Sequence, residues 1–225
     1  MSHHRGDPNK FFAATHPAFP NGRKSALMSA AEAGNSKKVI ALVDDSKADV
    51  GLANEHGLTA LHFASNAETV RALVERGADL HGKSSRNTEP LALAVRRGDA
   101  SAITEFAALG VDVKAGDGFA TQCCYRSGTA EVLAALIALG EPVDGRSGDG
   151  KLMCLAIWHA NFHSANLAVV RVLCEAGANL ALKSNYYVMN GSTWSSELMT
   201  PLAAAIRNKL GDIEALLREH GAPLA

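Results

Sequence analysis

The sequence predicts an all-α fold made of repeated helix pairs, and three observations predict it. A short phrase recurs: RGADL at 76–80 returns as LGVDV at 109–113, LGEPV at 139–143, AGANL at 176–180 and HGAPL at 220–224, with a weaker KADV at 47–50. Self-similarity at a regular period marks a repeat architecture. Each copy follows a segment whose apolar residues stand three and four apart, the spacing of one helix face. Finally, 47% of the 225 residues are apolar but only 5% aromatic. The core is therefore built of small aliphatic side chains, which suits closely packed helices better than sheets.

The amphipathic segments come in order along the chain. Their apolar faces are Val39, Ile40, Leu42 and Val43; Val70, Leu73 and Val74; Ile103, Phe106 and Ala107; Val132, Leu133, Leu136 and Ile137; Val169, Val170, Val172 and Leu173; and Ile213, Leu216 and Leu217. The glycine that follows the last five supplies a left-handed residue to end the helix. A shorter helix precedes each one, with its clearest openings in GLTALHFA (57–64), EPLALAVRRGD (89–99) and TPLAAAI (200–206). Thr200 can cap its helix, and Pro201 fits the first turn, where no N–H bond is lost. Ala92, Ala94, Ala203 and Ala205 let neighbouring helices approach. The unit reads as turn, short helix, longer helix and Gly-Ala-Asp loop.

GLTALHFA followed by VRALVERGADL resembles the ankyrin repeat, whose pattern is TPLHxA with a terminal GAD. The resemblance implies an all-α ankyrin-repeat solenoid of about six helix-turn-helix repeats with projecting finger loops. The expected repeats are 25–54, 55–86, 87–117, 118–149, 150–197 and 198–225. Thr59 and His62 match the family's Thr and His, which link neighbouring turns. Ala92 and Ala203 stand where the His would be, and Gln122 stands near it in a divergent fourth repeat whose first helix is left open. The second repeat is short between Ala64 and Thr69. The fifth is long twice, at NFHSAN (161–166) and at 182–197. Residues 1–24 carry three prolines and no repeat; they read as a flexible extension whose Phe11, Phe12 and Phe19 would dock on the first repeat. Arg218, Glu219 and His220 read as a polar cap that closes a complete array.

The resemblance also implies a non-enzymatic protein-binding module, with the partner on the fingers and a concave face. The variable concave positions would be Glu32-Ala33, Asn66, Arg96-Arg97, Arg126-Ser127, Trp158-His159 and Arg207-Asn208. Four arginines there (Arg96, Arg97, Arg126 and Arg207), with Trp158 and His159 between them, point to a partner protein with an acidic segment, because guanidinium grips carboxylates in bidentate pairs. The stretch SNYYVMNGSTWSSE (184–197) has loop composition and no helical period, yet holds Tyr186, Tyr187, Met189 and Trp194. Long loops are more often functional than accidental, and Tyr and Trp give large contact area at low entropic cost. At least one of these rings is expected to touch the partner. The bland alternative is that they fold back over the sixth repeat.

Other chemistries find less support. His159 and His163 form HxxxH, with Cys154 five residues before His159 and Cys174 on the partner helix. With the vicinal pair Cys123-Cys124, these make a metal- or redox-responsive protein the rival reading. More often such cysteines are small core hydrophobes. No GxSxG, Walker-type loop or HExxH is present, so neither catalysis nor a cofactor is expected. GDG at 116–118 and 148–150 falls in finger turns, and RGD at 5–7 is a tripeptide match expected by chance. A net charge of −1 with evenly spread acids argues against nucleic acid. No apolar run reaches the ~20 residues of a membrane span. The cysteine spacing suggests no disulfide framework. A monomeric cytoplasmic protein is expected, and a secreted effector with a non-classical export signal would share these features.

Overall fold

A computed structural model of the chain describes residues 9–12, 23–114, 118–124, 129–161, 166–190 and 193–224. By contact it divides into two compact units, residues 1–113 and 114–225. Among the described residues, twelve helices follow one another in six pairs.

The first unit holds strands β1 (Phe11–Phe12) and β2 (Lys24–Ser25), then helices α1 (Ala26–Glu32), α2 (Ser36–Asp44), α3 (Ala60–Phe63), α4 (Ala67–Val74), α5 (Pro90–Arg97) and α6 (Ala100–Ala108). Local chemistry starts the helices. Ser25 Oγ accepts from the Met28 N–H at 3.3 Å, Asn35 Oδ1 from Lys38 at 3.0 Å and Asn66 Oδ1 from Thr69 at 2.9 Å, each satisfying an otherwise orphaned donor. Pro90 opens α5, and left-handed Gly98 closes it. The first helices of the pairs pack in one layer, α1 on α3 and α3 on α5; the second helices pack in another, α2 on α4 and α4 on α6. Leu27, Met28, Leu61, Leu73, Ile103 and Phe106 fill the space between. The expected face of α2 is narrower than the sequence suggests: Val39 is buried, but Ile40 is 37% exposed.

Neighbouring fingers are bonded to one another. The Ser85 N–H donates to the His56 carbonyl at 2.9 Å, and Ser85 Oγ donates to it at 2.7 Å. Gly57, at φ +70°, sits where a Cβ would meet Ser85 N at 2.8 Å, so only glycine fits. The stretch expected to be a flexible extension is tied down in part. Phe11 and Phe12 pair antiparallel with Ser25 and Lys24, and Asn9 Oδ1 accepts from the Asp49 N–H at 2.9 Å. The expected ring docking of Phe11, Phe12 and Phe19 falls outside the described side chains.

The second unit holds α7 (Phe119–Cys124), α8 (Ala130–Ala138), α9 (Lys151–Ala160), α10 (Leu167–Glu175), β3 (Ser184–Asn190), β4 (Thr193–Met199), α11 (Pro201–Arg207) and α12 (Gly211–Glu219). The same two layers recur: α7, α9 and α11 in one, α8, α10 and α12 in the other. The helix left open in the fourth repeat is present as α7, which buries Phe119, Ala120, Cys123 and Cys124. At ten residues, α9 is not the short first helix expected. It buries six consecutive residues, Leu152 to Ile157, because α7, α10 and α11 enclose it.

The expanded finger is a paired element, not the irregular loop its composition suggests. β3 and β4 form an antiparallel hairpin in register from Ser184↔Met199 to Asn190↔Thr193. That register leaves two residues, Gly191 and Ser192, between the strands. The β-prone run Tyr-Tyr-Val before them and Thr-Trp after them fit strands, and a Gly-Ser spacer is a two-residue hairpin signal.

Candidate functional site

The hairpin is fixed to the helices by β3, which packs on α9 and α11. Tyr186 is the anchor, at 1% exposure among the largest fully buried side chains of the chain. Burial, with the nearby Cys154 thiol adding to it, pushes its phenol well above the ordinary range. Polar contacts tie the base of the hairpin to α9 and the turn before it. The Cys154 thiol donates to the Asn185 carbonyl at 3.1 Å, and Ser184 Oγ donates to the Asp149 carbonyl. Beyond β4, Thr200 Oγ1 accepts from the Ala203 N–H at 3.4 Å, capping α11, and donates to the Pro223 carbonyl at 3.2 Å.

A strand anchored on one face presents the other. Along β4 the burial alternates: Ser195, Glu197 and Met199 are half-buried, whereas Ser196 and Leu198 are exposed. Leu198 is 66% exposed, although it is a large apolar residue. Its register partner is Asn185, also exposed. The pairs Tyr187↔Ser196 and Met189↔Trp194 follow in the same phase of the register. Between this hairpin and the first turns of α9 lies a groove of about 400 Å³, with Cys154 and Leu155 as its buried apolar floor, Leu198 beside them, and Lys151, Lys183 and Asn185 around it.

The site residues read from the sequence separate into distinct groups. Tyr186 belongs to the core and not to a partner-facing surface, because β3 turns it in against the helices. Tyr187, Met189 and Trp194 stand on the hairpin strands. Trp158 and His159 are half-buried on the last turn of α9, Trp158 four residues beyond Cys154. Arg207, exposed at the end of α11, reaches the Glu197 carboxylate of β4 at 3.3 Å. Arg96 and Arg97 lie in the first unit. Arg96 is exposed. Arg97 serves the fold: its guanidinium donates to the carbonyls of His62 and Ala64 and to the Asp99 carboxylate, each at 2.6 Å. Arg126 lies outside the described residues.

The thiol environments oppose the redox and metal reading. Cys123, Cys124, Cys154 and Cys174 are all buried. Burial, more than any neighbouring charge, pushes Cys154 and Cys174 up to about 11 and Cys124 higher still. A reactive or metal-binding cysteine needs the thiolate, so its pKa must fall. Among the described residues no three metal-capable side chains cluster; His163 lies outside them.

Sequence reasoning missed Lys151, Lys183 and Leu198. They become a group only once the hairpin exists, and the signal for the hairpin was the Gly-Ser spacer between two β-prone runs.

Residues 9–84 match the family described as ankyrin repeats (3 copies). Comparison with curated proteins returns no match. Solved structures share the fold along most of the chain. The human ASB11 ankyrin repeat domain is 22% identical over 89% of this chain and 86% of its own, with a TM-score of 0.62. An ankyrin repeat domain (ABAYE2397) from Acinetobacter baumannii is 26% identical over 88% and 98%, with a TM-score of 0.59. A chain of the complex between the predatory endopeptidase Bd0816 of Bdellovibrio bacteriovorus and the immunity protein Bd3460 is 23% identical over 87% and 98%, with a TM-score of 0.56. Three ankyrin repeat copies are thus matched over residues 9–84, and the chain as a whole is similar in fold to solved ankyrin repeat domains.

Proposed function

We propose that this chain is a non-enzymatic interaction module that binds another protein through the finger hairpin of its second unit, acting as an adaptor, inhibitor or effector. Ankyrin repeats are generally protein–protein interaction modules. The observation that carries the finer reading is the hairpin itself. One face is locked to the helices by Tyr186, and the other carries Leu198 at 66% exposure. A rigid strand pair presenting apolar area is pre-organised for a partner, since little ordering remains to oppose binding. Tyr187, Met189 and Trp194 supply the contact residues on the strands, and Trp158, His159 and Arg207 extend the site from the ends of α9 and α11. Arg207 favours an acidic segment on the partner.

The test is a pull-down from native lysate read by mass spectrometry. The baits are wild type, a Tyr187→Ala/Trp194→Ala variant and Trp158→Ala, each checked for helical circular dichroism and melting. A protein held by wild type and lost from the folded hairpin variant is the expected result. Equal capture by all three baits would overturn the hairpin as the site.

A further inference from the structure

We infer that the groove between α9 and the hairpin docks an extended acidic segment of the partner protein, with one apolar side chain over the Cys154–Leu155 floor and carboxylates on Lys151 and Lys183. The inference rests on the protein-binding reading above and locates a second, separable part of the same surface.

Three features of the groove point to this occupant. Its floor is apolar and its neighbour Leu198 is 66% exposed, so an apolar side chain entering there would take Leu198 out of water against an apolar base. Its volume, about 400 Å³, fits one large side chain with room for flanking backbone. Its charge is unbalanced. Lys151 and Lys183 are both exposed, and neither ammonium forms an ion pair among the described residues. The single carboxylate at the groove, Asp149, is engaged by the Lys151 backbone N–H at 3.1 Å. Two unpaired ammonium groups beside an apolar floor complement a segment that alternates carboxylates with an apolar residue. The exposed Asn185 amide at the rim offers hydrogen bonds to the backbone of an extended chain.

The probe is a random dodecapeptide phage library panned on the full chain. Selected peptides are then measured as synthetic fluorescent ligands. The expected selection is a consensus of Asp or Glu flanking one apolar residue. Lys151→Glu/Lys183→Glu should weaken it about tenfold, Leu198→Ser should weaken it as well, and 1 M salt should weaken it by screening. The peptide with its acids replaced by lysine should regain affinity for the double charge-reversal variant. Peptides with no acidic preference, peptides indifferent to Lys151, Lys183 and Leu198, or a library that yields no binder each overturn the groove. Peptides that depend on Tyr187 and Trp194 but not on the lysines leave the finger reading standing while the groove falls. A selected segment that matches this chain's own sequence, with a dimer in light scattering, makes the occupant a second copy instead.

Discussion

His62 is fully buried, with Nδ1 at 3.1 Å from the Thr59 N–H and Nε2 at 3.1 Å from the Thr88 carbonyl. The first contact needs an acceptor and the second a donor, which assigns the neutral ring with its proton on Nε2. Burial lowers its pKa most, the Arg97 charge lowers it further, and the Thr88 carbonyl and Asp79 oppose them. The unfolded chain therefore takes up this proton at a higher pH than the folded one does. The stability His62 contributes is fully present above about pH 6.5 and is lost as pH falls from there through the lowered folded value. The melting temperature should hold between pH 7 and 8 and drop toward pH 5, with a shallower drop in His62→Ala. An equal drop in that variant would assign the acid sensitivity to other groups. Thr59 and His62 were legible in the sequence because they sit three residues apart in one motif. Arg97 was not: the carbonyls it holds are 35 and 33 residues away, and an exposed-helix position says nothing about a distant acceptor.

The hairpin makes its own demands on stability. Tyr186 is a fully buried large side chain of the hairpin, so Tyr186→Ala should cost about 3–5 kcal/mol in urea unfolding, the range for emptying a large core position. Thr200→Ala, which removes the cap of α11, should cost about 1 kcal/mol. A loss at Tyr186 no larger than that at Thr200 would mean the ring does not hold β3 to the helices. Legibility was poorest in this element. A search for helical period finds none in 184–197 and returns a loop, whereas period-two alternation shows only once the Gly-Ser spacer fixes where the strands turn. The second helices of the pairs were legible because each carries one amphipathic face, which from α4 onward runs to a left-handed glycine; after α2 Lys47 takes that conformation instead. Their partners were less so: α9 is apolar nearly all round, and α7 has no repeat motif of its own.

For the chain as a whole, burial sets chemical reactivity. All four thiols are buried in the folded protein, and burial pushes Cys124, Cys154 and Cys174 well above the ordinary thiol range. Ellman's reagent should therefore react slowly with native protein and rapidly with all four cysteines in denaturant; a fast native fraction would reveal a thiol outside the helix layers. No helix among the described residues is long and apolar enough to cross a membrane. The recurrent phrase at a regular period carried the architecture, because each repeat is one supersecondary unit whose apolar face only a neighbour can cover. That dependence reaches the backbone as well. Helix α3 has four residues and its connection to α4 is cut short, and Arg97 of the next helix pair takes the carbonyls at 62 and 64. The short turn in one repeat and the guanidinium from the next therefore stand or fall together: Arg97→Ala would leave the carbonyls at 62 and 64 without these donors.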